Sequence, residues 1–152
     1  MSRGVRHGRI VVGVDGSPSS VQALRWALDQ AELTGAAVHA VSAWEAHGGQ
    51  GGNARVYPDD VPAERAAVRL SEAIGEAATG RASVEVSHKI VEGHPADVLI
   101  EAARTADILV MGNRGHGRFT GALVGSVTHR CIQHASCPVV VIRAEESDDE
   151  RR

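Results

Sequence analysis

The chain changes its hydrophobic period about once every ~30 residues, the length of a strand–helix–strand crossover, and this rhythm limits its fold more than any other feature. Arg9-Ile-Val-Val-Gly-Val14 is a short, nearly unbroken apolar run rich in β-branched residues, the pattern of a strand buried on both faces. Ser17-Pro18 then supplies an N-cap and a first-turn proline. Val21, Leu24, Leu28 and Ala31 recur at helical spacing until Gly35 stops the helix. The alternation continues with a strand near Val38 to Ala43, a helix from Pro62 to Thr79 and a strand near Val84 to Val91. Pro95 opens a helix through Val98, Leu99 and Ala102, and Asp107-Ile-Leu-Val-Met111 reads as a fourth buried strand. A helix from Ser126 to His134 and the strand Val139-Val-Val-Ile142 close the series. The pattern predicts an α/β fold: a parallel sheet of five strands with helices on both faces.

The 152 residues suffice for one domain of ordinary size and not for two, so residues 1–152 are read as a single domain with its core over 9–143. Residues 46–58, with four glycines, form a surface loop or a lid over the carboxyl end of the sheet, and 145–152 form an acidic tail. No apolar run approaches the ~20 residues that a bilayer requires. Two cysteines, Cys131 and Cys137, are too few for a disulfide framework. A cytoplasmic protein with no membrane partner is expected. A net charge of −3 argues against a general nucleic-acid binder. That charge is unevenly spread. Between Asp107 and Glu145 there is no acidic residue, while Arg114, Arg118, Arg130 and Arg143 contribute +4. A locally basic segment points to an anionic ligand.

In open parallel sheets ligands sit beyond the carboxyl ends of strands whose connections diverge to opposite faces. The loops after the first and fourth strands are the unusual ones. The first is Gly13-Val14-Asp15-Gly16-Ser17. The second runs from Gly112 to Gly125 with five glycines in fourteen positions, and Ser126 follows at the start of a helix. Glycine at this density lets backbone N–H groups approach a ligand, and the first turn of a helix adds unpaired donors and the positive end of its dipole. Phosphate needs such donors. The alternative is a tight turn with Ser126 as a helix cap. Asp15 also reads two ways: as an acceptor for a ribose hydroxyl or adenine amine, or as a turn residue before the first helix.

The spacing Gly112-x2-Gly115-x9-Gly125-Ser126 resembles the nucleotide-binding pattern of the universal stress protein family. The opening Val-Gly-Val-Asp-Gly-Ser and the closing Cys-Pro-Val-Val-Val extend the likeness from Arg9 to Arg143. The resemblance implies a Rossmann-like sheet ordered 3-2-1-4-5, which sets the first and fourth strands side by side. It further implies bound ATP and a homodimer formed through Val139–Ile142, while the sequence leaves open whether Mg²⁺ or Mn²⁺ accompanies the nucleotide. Carried over by position, Gly13, Val14 and Asp15 form the floor near adenosine, with Ala43 contacting the base. Gly112, Asn113, Arg114, Gly115, His116, Gly117 and Arg118 wrap the ribose and phosphates, and Gly125, Ser126, Val127 and Thr128 hold the phosphate tail. Asn113 stands where the family commonly has a small hydroxyl residue.

Other chemistries fit less well. Gly115-x-Gly117-x3-Gly121 is one residue off the dinucleotide fingerprint and follows the fourth strand rather than the first. Lys89, the only lysine, is far from any glycine-rich loop, so no Walker A motif exists. His129, Cys131, His134 and Cys137 match no standard zinc spacing. His116 has no partner spaced to make a nucleophile pair. Trp26 fits a packing role within the first helix, and Trp44 lies near the implied adenine position. The expected function is therefore an ATP-binding regulatory module with no catalytic residue and no resident metal. The alternative is a slow ATPase or nucleotide-dependent transferase that uses Asp15 and a divalent cation in the same crevice.

Overall fold

The computed structural model describes residues 8–46, 62–113 and 125–144. The chain runs β1 (Arg9–Gly13), α1 (Pro18–Thr34), β2 (Ala37–Trp44), α2 (Pro62–Ala78), β3 (Val86–Glu92), α3 (Pro95–Ala103), β4 (Ile108–Gly112), α4 (Ser126–His134) and β5 (Val139–Ile142). The five strands form one sheet ordered β3-β2-β1-β4-β5, and every pairing in it is parallel. The alternation predicts the parallel five-stranded sheet, and the strand order is the one that the family resemblance implies.

Two layers of helices clamp the sheet because successive strand residues point to opposite faces. Ile10, Val12 and Val14 of the first strand segment pack with Leu24, Leu28 and Leu70 under α1 and α2. Val11, Leu109 and Met111 pack with Leu99 and Cys131 under α3 and α4. Local chemistry sets the ends of α1. Ser17 Oγ accepts from Ser20 N, Pro18 occupies the first turn, and Gly35 closes the helix at φ 77°, which a side chain would strain. Trp26 packs on this α1/α2 layer, as its place in the helix suggests.

Two strand starts move inward from their expected positions. β3 begins at Val86 instead of Val84, because the Val84 amide closes a turn onto Arg81 O at 3.2 Å. β4 begins at Ile108 instead of Asp107, whose Oδ2 accepts from Arg9 N at 2.7 Å and so caps the start of β1. At the far end, Trp44 extends β2, and its carbonyl accepts from Gly93 N at 2.8 Å.

Candidate functional site

β1 and β4 are neighbours in the sheet, with Val12 level with Val110, but their helices leave to opposite faces. Their carboxyl ends therefore flank a crevice. Residues 13–15 form one wall, residues 112–113 the other, and the start of α4 lies beside them. Ala43 sits one strand further along, two residues past Val41, the partner of Gly13. Thus ten of the residues singled out in the sequence are described and share this end of the sheet. Arg114, Gly115, His116, Gly117 and Arg118 lie outside the described residues, as do most of the 46–58 loop and all of the acidic tail.

Close packing explains two of the glycines. A Cβ on Gly112 would lie 2.7 Å from the Ser19 carbonyl carbon and 2.8 Å from Ser19 Cβ, so only glycine lets α1 cross the end of β4. A Cβ on Gly13 would lie 2.7 Å from Leu99 Cδ1, on the α3 side. Ser19 and Leu99 thus pack directly on the two strand-end glycines. Neither stood out in the sequence, since nothing local announces which helix residue lands on which strand glycine.

The first wall is internally satisfied. Asp15 Oδ1 accepts from Ser17 N at 2.8 Å in an Asx-type turn, and the Val14 amide donates to Val41 O at 2.9 Å. Ser20 Oγ donates to Ser17 O at 2.9 Å. So the turn reading of Asp15 is realised in the geometry, and this contact engages one oxygen of its carboxylate.

The α4 wall is finished differently. Gly125 occupies the N-cap with φ −67° and ψ 163°, and among the described residues no side chain caps the helix. Gly125 N donates to Asn113 O at 2.8 Å, and the first bond within the helix runs from His129 N to Gly125 O at 2.9 Å. The amides of Ser126, Val127 and Thr128 precede that bond and have no acceptor within the helix. Ser126 is exposed and is the first helical residue, so it does not serve as the cap that the sequence allowed. Thr128 is buried and its hydroxyl donates to Gly112 O at 2.8 Å. That bond ties α4 to β4 and leaves the Thr128 hydroxyl without a proton to offer a phosphate.

Asn113 joins three elements. Its amide donates to Ile142 O at 2.9 Å, at the end of β5, and its carbonyl receives Gly125 N. Its side-chain Oδ1 is shielded from solvent with no hydrogen-bond partner among the described residues. Arg130, one of the cations in the acid-free segment, pairs with Asp97 on α3 at 3.0 Å. It helps hold α4 against α3 and is not an uncommitted charge for the crevice. Below it, burial pushes the Cys131 thiol up to about 11 against the opposing charge of Arg130, and burial also raises Cys137. Both stay protonated at neutral pH and act as small apolar groups. Among the described residues no group of three or more His, Cys, Asp or Glu side chains is placed to hold a metal ion, and no helix is long and apolar enough to cross a membrane.

The sequence profile of the universal stress protein family matches residues 7–143. A universal stress protein of Mycobacterium tuberculosis is 35% identical over 155 residues, covering 97% of this chain and 51% of its own length. The chain spans about half the length of the curated relatives it matches. A universal stress protein solved in complex with cAMP is 26% identical, with TM-score 0.68, covering 91% of this chain and 98% of its own. Another, from Archaeoglobus fulgidus and in complex with dAMP, is 26% identical with TM-score 0.60, covering 90% of this chain and 98% of its own. Profile match, sequence identity and strand order agree: the chain belongs to the universal stress protein family.

Proposed function

We propose that this chain is an adenine-nucleotide-binding stress-response module that takes ATP in the crevice between β1 and β4. One observation carries the reading: α4 opens at that crevice with three backbone amides unpaired within the helix and, among the described residues, no side chain capping them. Such a terminus favours an anion through its donors and its dipole. The phosphates would meet Gly125, Ser126 and Val127, the ribose would lie over Gly112 and Asn113, and the base would extend past Asp15 toward Ala43. Two structural neighbours that bind cAMP and dAMP support adenine as the base. Mg²⁺ or Mn²⁺ would arrive bound to the phosphates, with Asp15 the nearest carboxylate on the β1 wall.

Binding, not turnover, is the function in this reading. Its output is a nucleotide-dependent change in contacts with other proteins. The half-buried apolar strand Val139–Ile142 lies at the sheet edge, which supports a second copy pairing there. Calorimetric titration with ATP should give saturable binding, and Gly125→Val should weaken it at least tenfold. The Gly125 dihedrals are open to any residue, so the substitution tests ligand approach more than backbone strain. Unchanged affinity would remove the phosphates from this position. Steady-state turnover should stay below the ~1 s⁻¹ low end of ordinary enzymes, and a faster rate would move the protein to the ATPase class.

A further inference from the structure

Arg25, Arg81, Arg104 and Arg130 each pair with an acid, whereas Arg9 and Lys89 form no ion pair among the described residues. Strand register gathers these two cations around His39. Val11 lies level with His39, His39 with Ser87, and Val41 with Lys89, so Arg9, His39, Ser87 and Lys89 share the sheet face that carries α3 and α4. α3 packs over β1, β2 and β4 on that face and leaves Ser87 and Lys89 of β3 exposed. The result is a ledge with the buried His39 at its inner wall. We infer that this ledge is a second anion site, apart from the crevice, and takes an oxyanion of the phosphate class against Arg9, His39, Ser87 and Lys89.

The local charge is positive and unanswered. Burial and the charges of Arg9, Lys89 and His88, the last on the opposite face, all hold the His39 imidazole below its ordinary 6.5, with no carboxylate acting against them. Arg9 is partly withdrawn from water: its Nε is shielded without a partner, while its terminal nitrogens are not among the shielded atoms. A cation that has lost water without gaining a counter-charge favours an anion within reach. No nearby acid pairs with either cation. Asp107 Oδ2 accepts the Arg9 backbone amide at 2.7 Å, Glu101 pairs with Arg104 at the end of α3, and Glu85, just before β3, pairs with neither. His39 Nδ1 lies 2.6 Å from Ser87 Oγ. Once the ring is protonated, Nδ1–H must donate to that oxygen, which turns the Ser87 hydroxyl proton outward to an oxyanion. Proton and anion uptake are thereby coupled. The ledge is separate from the proposed phosphate position at α4, since β3 and β2 lie on one side of β1 and β4 on the other.

Proton NMR of the full chain can follow the His39 imidazole, identified by its absence in His39→Gln, through its titration in chloride and in sulfate at equal ionic strength. Sulfate is the probe because its charge stays constant through that titration. Saturating sulfate should raise the His39 midpoint by about half a unit over chloride, the mark of an anion held about threefold more tightly when the ring is protonated. Lys89→Gln, at an exposed position, should raise the midpoint in chloride and remove most of the further rise in sulfate. Gly125→Val should leave the sulfate response intact, which separates the ledge from the crevice. Inorganic phosphate and O-phosphoserine should each reproduce the shift, and the one that half-saturates it at lower concentration tells whether the site suits free or esterified phosphate. Equal midpoints in chloride and sulfate, a response that survives in Lys89→Gln, or one that is lost in Gly125→Val overturns the inference, whatever the crevice binds.

Discussion

Two helices begin at the same end of the sheet and are finished in opposite ways. α1 runs for seventeen residues and buries seven side chains, and Ser17 caps its first turn. α4 runs for nine residues, buries only Thr128 and Cys131, and starts at a glycine without a side-chain cap. The first is complete in itself, with amides answered by Ser17 and by the Asp15 turn. The second has donors that the helix does not answer, at a point where packing already brings β4, β5 and α4 together through Asn113. Under the proposed nucleotide reading such a helix would gain stability from its ligand, and linkage makes that gain grow with ligand concentration.

The largest effects are expected at the two strand-end glycines, of which Gly112 touches α1 through Ser19 and α4 through Thr128. Gly112→Ala would drive a Cβ into the Ser19 backbone, which cannot rotate away. It should cost about 3 kcal/mol in urea unfolding, the upper end of overpacking, and lower Tm by roughly 6–12 °C. Gly13→Ala meets the end of the Leu99 side chain instead, and a smaller loss of about 1–2 kcal/mol is expected because that group can shift. If the two losses came out equal or reversed, backbone contact with α1 would not be what demands glycine at 112.

Caps provide the next contrast. Ser17→Ala should remove about 1 kcal/mol of stability through the lost cap on α1. Ser126→Ala removes an exposed hydroxyl that caps nothing, so stability should stay within about 0.5 kcal/mol. Its ATP affinity should nonetheless fall about fivefold by calorimetry, the loss of one hydrogen bond. A destabilised Ser126→Ala protein with unchanged affinity would make α4 an ordinary capped helix.

The smallest effect lies away from the crevice and serves as a control. Burial, reinforced by the charges of Arg9, Lys89 and His88, holds the His39 imidazole below its ordinary 6.5, and its Nδ1 lies 2.6 Å from Ser87 Oγ. The unfolded chain takes up this proton first. The stability that His39 contributes is therefore whole above pH 6.5 and is lost as the pH falls below it. Unfolding midpoints measured across pH 5–8 should show this decline, and His39→Gln should flatten it. A slope unchanged in the variant would trace the decline to another group.

Much of the fold was legible because its signals are local. The β-branched run from Ile10, the Ser17-Pro18 start, the Gly35 stop and the Val139–Ile142 strand each carry their own cause within a few residues. The two shifted strand starts have different causes: a local turn takes the Val84 amide onto Arg81 O, whereas Arg9, distant in sequence, draws Asp107 into a cap. The candidate site divides the same way. Its residues could be found from the spacing of glycines and the helix start, but their roles could not. Only the folded chain shows that the Thr128 hydroxyl is engaged by Gly112 O, that Ser19 fills the space beside Gly112, and that Arg130 pairs with Asp97 on α3.

By itself, then, the sequence determined that five strands and four helices alternate, where most of them begin and end, and that glycine-rich turns follow β1 and β4. Tertiary structure alone decided which of those glycines stand against protein and which amides have no acceptor within their own helix. The reason is physical: propensity and capping act over one or two turns of chain, whereas a Cβ clash with Ser19 or the bond from Thr128 to Gly112 exists only after segments far apart in sequence have been brought together.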